Sequence, residues 1–454
     1  MFTKKREVAY AQENFKEVLH TTLNPDGPGV VRIHLIPPKV EGKELAGSVV
    51  IINGQDVLPI NRSWSILLAE FIKQVNQYAR KEVTDADIER IMENTYLNVK
   101  KVYRRAKETV IRNDIYTIMN TFGQIARGEK TDVEIGYISL GEYAPHMKAP
   151  HRMDLMVSAM TKEGAWHCNQ KCLHCYAAGQ EFSEEQELST AQWKAILDKC
   201  RTIGIPQITF TGGEPTMRED LFELIEYGRW FVTRLNTNGV KLTKEYCKGL
   251  RDAELDSVQV TFYSWDAPIH NQLVGAQNYE KTVDGIRNAL ASGLNLSINT
   301  PLCTLNKDYV KTLAFLKEMG VMYVTCSGLI TTGNATKDNS VNTQLTTVEM
   351  KEILTGAVEY CYSNGMEISF TSPGWVEESF LRELAVNVPS CGACLSNMAV
   401  TPGGNVVPCQ SWLSDDSLGN LLTEDWETIW NSDKCVERRN FSAKMGGECP
   451  LRKR

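Results

Sequence analysis

From Met153 to about Phe370 short apolar runs alternate with longer stretches in which apolar residues recur every three or four positions. The runs read D-L-M-V-S-A-M, P-Q-I-T-F-T, F-V-T-R-L-N-T-N-G, D-S-V-Q-V-T-F, L-N-L-S-I-N-T and V-M-Y-V-T-C-S, and each has the length and composition of a strand. The spacing between them predicts helices, one capped by Ser189 and running through Trp193, Ile196 and Leu197, another from about Glu219. Repeated strand–helix–strand units make consecutive strands parallel. Six of them predict a partial (β/α)6 barrel, an α/β fold whose site lies at the C-terminal ends of its strands.

Upstream the pattern differs. Residues 1–25 carry mixed charge and no strong periodicity. V-V-R-I-H-L-I-P and G-S-V-V-I-I-N-G then read as two short strands, and Asp56 to Asn61 as a turn. A helical pattern follows from Ser63, the expected N-cap, and a second starts at Thr84-Asp-Ala-Asp and passes Ile88, Ile91 and Tyr96 towards Tyr103. Strands followed by helices predict a winged-helix-like module within residues 1–105, joined by a connector, 106–152, to a barrel over 153–385. Beyond it, residues 386–454 are rich in Gly, Pro and Asn and hold Cys391, Cys394, Cys409, Cys435 and Cys449. A segment that buries so little apolar surface depends on a metal centre for its fold.

Composition narrows the class. Hydrophobic residues make up 42% and charged residues 23%, as in a soluble globular protein. No apolar run is long enough to span a membrane, and the first residues lack the core of a secretory signal, so a cytoplasmic protein is expected. Thirteen unevenly spread cysteines fit a reducing compartment and metal ligation better than a disulfide framework. A net charge of −7 without a basic, aromatic-laced stripe argues against a nucleic-acid partner.

The chemistry concentrates in W-H-C-N-Q-K-C-L-H-C-Y-A-A-G, from Trp166 to Gly179. Cys168, Cys172 and Cys175 stand at C-x3-C-x2-C spacing, and three thiolates from one loop can hold three corners of a [4Fe–4S] cluster. The next cysteine, Cys200, is far outside the loop, which leaves one iron open to a small ligand. A zinc loop or a chance cluster is the competing explanation. The spacing, with His174 before the third cysteine and Tyr176 after it, resembles the radical S-adenosylmethionine (radical SAM) superfamily. That resemblance implies a TIM-like barrel and SAM bound at the open iron. It also implies reductive cleavage to a 5′-deoxyadenosyl radical, fed by an electron donor such as flavodoxin or ferredoxin.

Thr211-Gly-Gly-Glu-Pro215, at the end of the second strand, strengthens the resemblance. Gly212 and Gly213 let backbone approach a ligand closely, and Glu214 can accept hydrogen bonds from an ammonium. In the family, Gly212, Gly213, Glu214 and Pro215 match the motif that binds the SAM amino group. Asn236, Thr237, Asn238 and Thr261 fall where relatives place polar groups near the ribose, and Asn299 and the Gly333-Asn-Ala335 turn match polar positions after strands five and six. One departure is visible. Many members carry an Arg four residues after a His in the loop following strand four; here His270 is followed at that offset by Val274.

The tail resembles the SPASM/twitch domain of radical SAM peptide maturases. Cys394, then Gly404-x4-Cys409, Leu418-Gly-Asn and the Trp426-Glu-Thr-Ile-Trp430 segment follow its pattern. The resemblance implies at least one auxiliary [4Fe–4S] cluster, with Cys391, Cys394, Cys409 and Cys449 as ligands. Gly446 stands where the family has another cysteine and the sequence stops before the next, which leaves open a missing second cluster or a longer chain. Cys435 matches no family ligand and reads as an ordinary helix cysteine. Within the barrel Cys200 and Cys247 read as buried hydrophobes. Cys303 and Cys326, near the ends of strands five and six, are candidates to return a hydrogen atom to a substrate radical. The expected function is maturation of a ribosomally made (RiPP) precursor peptide through a thioether or carbon–carbon crosslink. Alternatives are a peptide epimerase and the oxidation or decarboxylation of a small molecule such as an alcohol or tetrapyrrole. A non-catalytic iron–sulfur carrier would have no use for Gly212-Gly-Glu214.

Overall fold

The structure, a computed structural model, describes residues 2–23, 31–38, 40–45, 47–52, 56–78, 83–126, 131, 148–414, 417–444 and 448–452. The chain divides into two compact units. The first is Met1–Lys148 with Cys200–Pro206 and Trp230–Val232, and the second comprises Ala149–Lys199, Gln207–Arg229 and Thr233–Arg454.

In the first unit, helix α1 (Phe2–Asn14) precedes strands β1 (Leu19–Leu23), β2 (Val31–Ile36), β3 (Ser48–Ile52) and β4 (Asp56–Ile60), which pair antiparallel in that order. Sequence reading anticipated only β2 and β3. Asp56 to Ile60 is a strand rather than a turn, its Val57 opposite Ile51. Helix α2 (Arg62–Val75) is capped by Asn61, whose side chain accepts from the Trp64 N–H at 2.9 Å, and not by Ser63. Helix α3 (Asp85–Val102) opens on a Thr84/Asp87 capping box, as its sequence predicts. Ile33, Leu35, Val50, Ile52 and Leu58 form one core with Leu68 and Ile72 of α2, Ile91 and Val99 of α3, and Ile115, Ile118 and Phe122 of α4 (Glu108–Ala126). Helix α4 therefore packs with the strands, although its residues read as connector. Most of the later connector lies outside the described residues.

The second unit is built on parallel strands: β5 (Arg152–Ser158), β6 (Gln207–Gly212), β7 (Val232–Thr237), β8 (Ser257–Thr261), β9 (Asn295–Pro301), β10 (Tyr323–Ser327) and β11 (Glu367–Phe370). They lie side by side in sequence order, and β11 is one strand more than the pattern predicts. The intervening helices include α5 (Thr190–Ile203), α6 (Leu221–Tyr227), α7 (Lys244–Asp252), α8 (Ala267–Val274), α9 (Tyr279–Ala291), α10 (Tyr309–Glu318) and α11 (Thr347–Ser363). On the far side of β5 the tail continues the same sheet. There β12 (Asn397–Val400) runs parallel to β5, and β13 (Asn405–Val407) and β14 (Gly419–Asn420) return antiparallel. The sheet ends at β11 and β14 without closing, so the barrel is partial.

Burial along the strands explains why the interior is a chamber. Val258 and Val260 are buried while Ser257, Gln259 and Thr261 are partly exposed, and β9 and β10 alternate in the same way. Side chains alternate between the two faces of a strand. The apolar set meets the helices, and the polar set lines an inner face that is not packed solid.

Candidate active site

The cysteine loop follows β5 and is fastened at several points. The Lys171 N–H donates to the Val274 carbonyl at 3.0 Å and the Leu173 N–H to the Leu273 carbonyl at 2.9 Å, tying the loop to the end of α8. Asn334 holds the other side: its N–H reaches the Cys175 carbonyl at 2.9 Å and its side chain the Cys172 carbonyl at 3.1 Å. Gly333 at φ 56 permits this approach, since a Cβ there would lie 2.4 Å from the Tyr176 carbonyl oxygen. The Gly333-Asn-Ala335 turn therefore supports the cysteine loop. His174, before the third cysteine, is buried and its Nε2 meets Thr343 Oγ1 at 2.7 Å, while burial pulls its pKa down to about 4. Tyr176 packs with Met156, Ala399 and Leu413, and burial raises its pKa.

The loop meets the Gly-Gly-Glu-Pro segment directly, with Cys168 Sγ 3.4 Å from the Gly213 carbonyl oxygen. Gly212 has φ 129, and a Cβ on it would lie 2.2 Å from the Ser158 carbonyl oxygen; one on Gly213 would lie 2.7 Å from that of Ala159. No other residue type fits between strand ends this close. Pro215 is buried and starts a short 3-10 turn. Glu214 is buried, and desolvation raises its pKa against four hydrogen bonds that favour the carboxylate. Three reach Oε1, from Thr216 N, Thr216 Oγ1 and Thr237 Oγ1 at 3.1, 2.6 and 2.7 Å, and one reaches Oε2, from Asn238 N at 2.8 Å. Oε2 thus keeps an open lone-pair direction. The Asn238 side chain bonds Asn169 of the cysteine loop. Asn236 Oδ1 is buried without a hydrogen-bond partner among the described residues, and Asn299 Oδ1 accepts from Thr325 at 2.9 Å. Thr261 ends β8 on the inner face.

An iron–sulfur cluster fits the loop on donor chemistry. Burial pushes Cys168 up to about 12, Cys172 well above the ordinary thiol range and Cys175 upward, and Cys168 and Cys172 are raised further by neighbouring thiols. Thiolates so placed need a cationic core to stabilise them. Among the described residues no three Cys, His, Asp or Glu stand at the spacing of a single-ion site.

In the tail, burial raises the pKa of Cys409 and of Cys449, the Cys391 thiol adds to both and the Cys449 thiol to Cys409, and Cys394 lies within reach of Cys409. Cys394 adopts φ 55 after Gly392. Helix α12 (Trp426–Trp430) is followed by α13 (Asp433–Lys444), which faces this turn with Ser442 Oγ donating to the Ala393 carbonyl at 2.7 Å. Cys435 is not an isolated helix cysteine. It is buried, and the hydrogen bond it shares with the Cys394 thiol raises Cys394 and lowers Cys435. Sequence spacing gave no sign of this pairing, because α13 reaches Cys394 only by folding back. Gly446 lies outside the described residues.

One expectation does not survive. Cys326 does not face the chamber: Thr325 and Ser327 take the inner side of β10, and Cys326 is buried on the helix side near Cys361. Cys303 is buried with Tyr263, Leu273, Val274 and Leu329, and Cys172 and Leu173 of the cysteine loop pack against the same cluster. His270 is buried as well, its Nδ1 accepting from the Tyr263 N–H at 3.4 Å.

Residues 167–316 match the Radical SAM superfamily, and residues 391–451 match SPASM, an iron–sulfur cluster-binding domain. An AdoMet-dependent heme synthase of Oleidesulfovibrio alaskensis is 27% identical over 300 residues, 62% of this chain and 76% of that protein. An Fe-coproporphyrin III synthase of Methanosarcina barkeri is 33% identical over 155 residues, 34% of this chain and 38% of that one. In fold the chain is similar to Streptococcus suis SuiB, solved bound to the precursor peptide SuiA. The TM-score is 0.59 at 13% identity, covering 89% of this chain and 92% of SuiB.

Proposed function

We propose that this chain, a radical SAM enzyme with a C-terminal SPASM iron–sulfur domain, modifies a ribosomally made peptide. The observation that carries the reading is the extent of the likeness to SuiB. It covers 89% of this chain and 92% of SuiB. In the first unit β1 and β4 are the edge strands of the four-stranded sheet, and an edge strand can pair with an extended leader peptide.

Cys168, Cys172 and Cys175 would hold the SAM cluster, and Cys391, Cys394, Cys409 and Cys449 an auxiliary one. With SAM bound, the first cluster supplies reductive cleavage to the 5′-deoxyadenosyl radical. The chain's own residues do the positioning. Glu214, fixed by Thr216, Thr237 and Asn238, offers Oε2 to the SAM amino group. Asn334 and the end of α8 hold the cysteine loop in place. Cys326 is turned to the helices, whereas Cys303 packs in one cluster with Cys172 and Leu173 of the cysteine loop.

The curated relatives support a second reading, a tetrapyrrole substrate, because the names they carry are those of heme and Fe-coproporphyrin III synthases. Coexpression with a short peptide encoded beside this chain, followed by mass spectrometry, separates the two. A peptide that loses two hydrogens supports the maturase. An unchanged peptide, with loss of carbon dioxide from an added iron coproporphyrin, supports the tetrapyrrole reading instead.

A further inference from the structure

Around β5 and β7 the inner face of the barrel sheet holds two arginines, Arg152 and Arg234, and one carboxylate, Asp154. On β7, Arg234 and Asn236 take this face while Thr233, Leu235 and Thr237 are buried on the other. Asp154 of β5 is engaged by one guanidinium, with Arg152 Nε 2.8 Å from Oδ1 and Nη2 3.3 Å from Oδ2. Arg234 has only a long contact from Nε to Ser257 Oγ, at 3.5 Å, and no ion pair among the described residues. Burial and the nearby Arg152 work against its charge, and Asp154 favours it. Around β5 and β7 two arginines therefore share one aspartate, while the other inner-face carboxylate, Glu367, stands on β11 at the edge of the sheet.

We propose that Arg234 receives a carboxylate of the substrate inside the barrel; this builds on the reading above only in placing the substrate in the chamber. An enclosed cation without a counterion is unfavourable, and a carboxylate matches the guanidinium fork with two parallel hydrogen bonds. Polar groups beside it also lack partners. Thr209 Oγ1, level with Asp154, and Asn236 Oδ1, one inner position beyond Arg234, are buried without a hydrogen-bond partner among the described residues. Gln259 Nε2 has only long contacts, 3.5 Å each, to Ser297 and Thr325. These side chains offer a fork, a hydroxyl and two amides to a polar ligand, beside the Asp154 carboxylate, whose Oδ1 also makes no hydrogen bond among the described residues.

SAM is not that ligand. Its candidate contacts Glu214 and Asn238 lie at the other end of the strands, Arg234 being four residues before Asn238, roughly 13 Å of extended chain, and Asn236, the other candidate on β7, stands between the two. A substrate anchored at Arg234 would extend from there towards the cysteine loop. The carboxylate can come from an Asp or Glu of a peptide or from a tetrapyrrole propionate.

The test is binding to the reconstituted enzyme with SAM, by calorimetry, using N-acetyl-Gly-Glu-Gly-amide, its Gln counterpart and coproporphyrin III. At least one carboxylate probe should bind the wild type, bind R234Q tenfold more weakly or worse, and bind R234K with intermediate affinity; the Gln peptide should not bind. Equal binding by R234Q, or no binding of either carboxylate probe to the wild type, overturns the proposal. Should R234Q not fold, equal affinity of R234K and wild type overturns it. Unchanged probe binding with an altered auxiliary-cluster potential would make Arg234 a countercharge of that cluster, which also overturns it. If coproporphyrin III alone binds through Arg234, the carboxylate site stands and the peptide reading falls.

Discussion

Gly213 shows what the site demands of single residues. Its missing Cβ leaves room for the Ala159 carbonyl, and its own carbonyl lies 3.4 Å from Cys168 Sγ. Adding one methyl forces two strand ends apart. Gly213→Ala is expected to destabilise the protein by about 2 kcal/mol or more and to raise the dissociation constant for SAM at least tenfold. Thermal melting and equilibrium binding check both; a variant with wild-type SAM affinity would contradict the placement. Such glycines and the three loop cysteines are legible in sequence because the chemistry fixes residue type and spacing. Their supports are not. Asn334 and Thr343 act on the loop from more than 150 residues away, and nothing in their local sequence marks them. Strand parity is a subtler loss. The sequence places Cys326 near a strand end correctly, but only the register shows it turned to the helices.

Among the elements, helix α8 ties the cysteine loop and carries a titratable group. His270 stacks against Phe262 with ring centroids 4.8 Å apart, and burial lowers its pKa from 6.5 to about 4. The unfolded chain therefore binds more protons than the folded one between those values, so this histidine's contribution to stability is lost as pH falls from 6.5 towards 4. His270→Gln can retain the bond to Tyr263 without gaining a proton. The melting temperature of the wild type relative to this variant is expected to drop between pH 7 and pH 5. A constant difference would show that folding leaves the His270 pKa unchanged, contrary to its burial. Helix starts were readable where a side chain caps them, as at Thr84 and Ser189. Strand β4 was not, because Pro59 in a five-residue edge strand reads as a turn. Helix α1 lacks an apolar stripe, so no periodicity marked it.

At the scale of the whole molecule, six of the seven parallel strands were legible because strand–helix alternation leaves a strong pattern, whereas the tail, expected to bury little apolar surface, buries Leu395, Met398, Val400, Val406, Leu413 and Ile429. The extent of the first unit was not legible, since α4 joins its core from within an apparent connector. Residues 1–126 are the span to remove when testing peptide recognition. Without them, SAM cleavage in the absence of peptide is expected to persist and peptide modification to fall at least tenfold. Undiminished modification would leave the first unit a structural cap. The account as a whole rests on Cys168, Cys172 and Cys175 forming the SAM cluster site. Its most direct measurement is 5′-deoxyadenosine released from SAM and dithionite by reconstituted wild type and by the triple alanine variant. Wild type should release it and the variant none, while the variant retains about four irons in the tail. Release by the variant, or none by the wild type, would contradict the account.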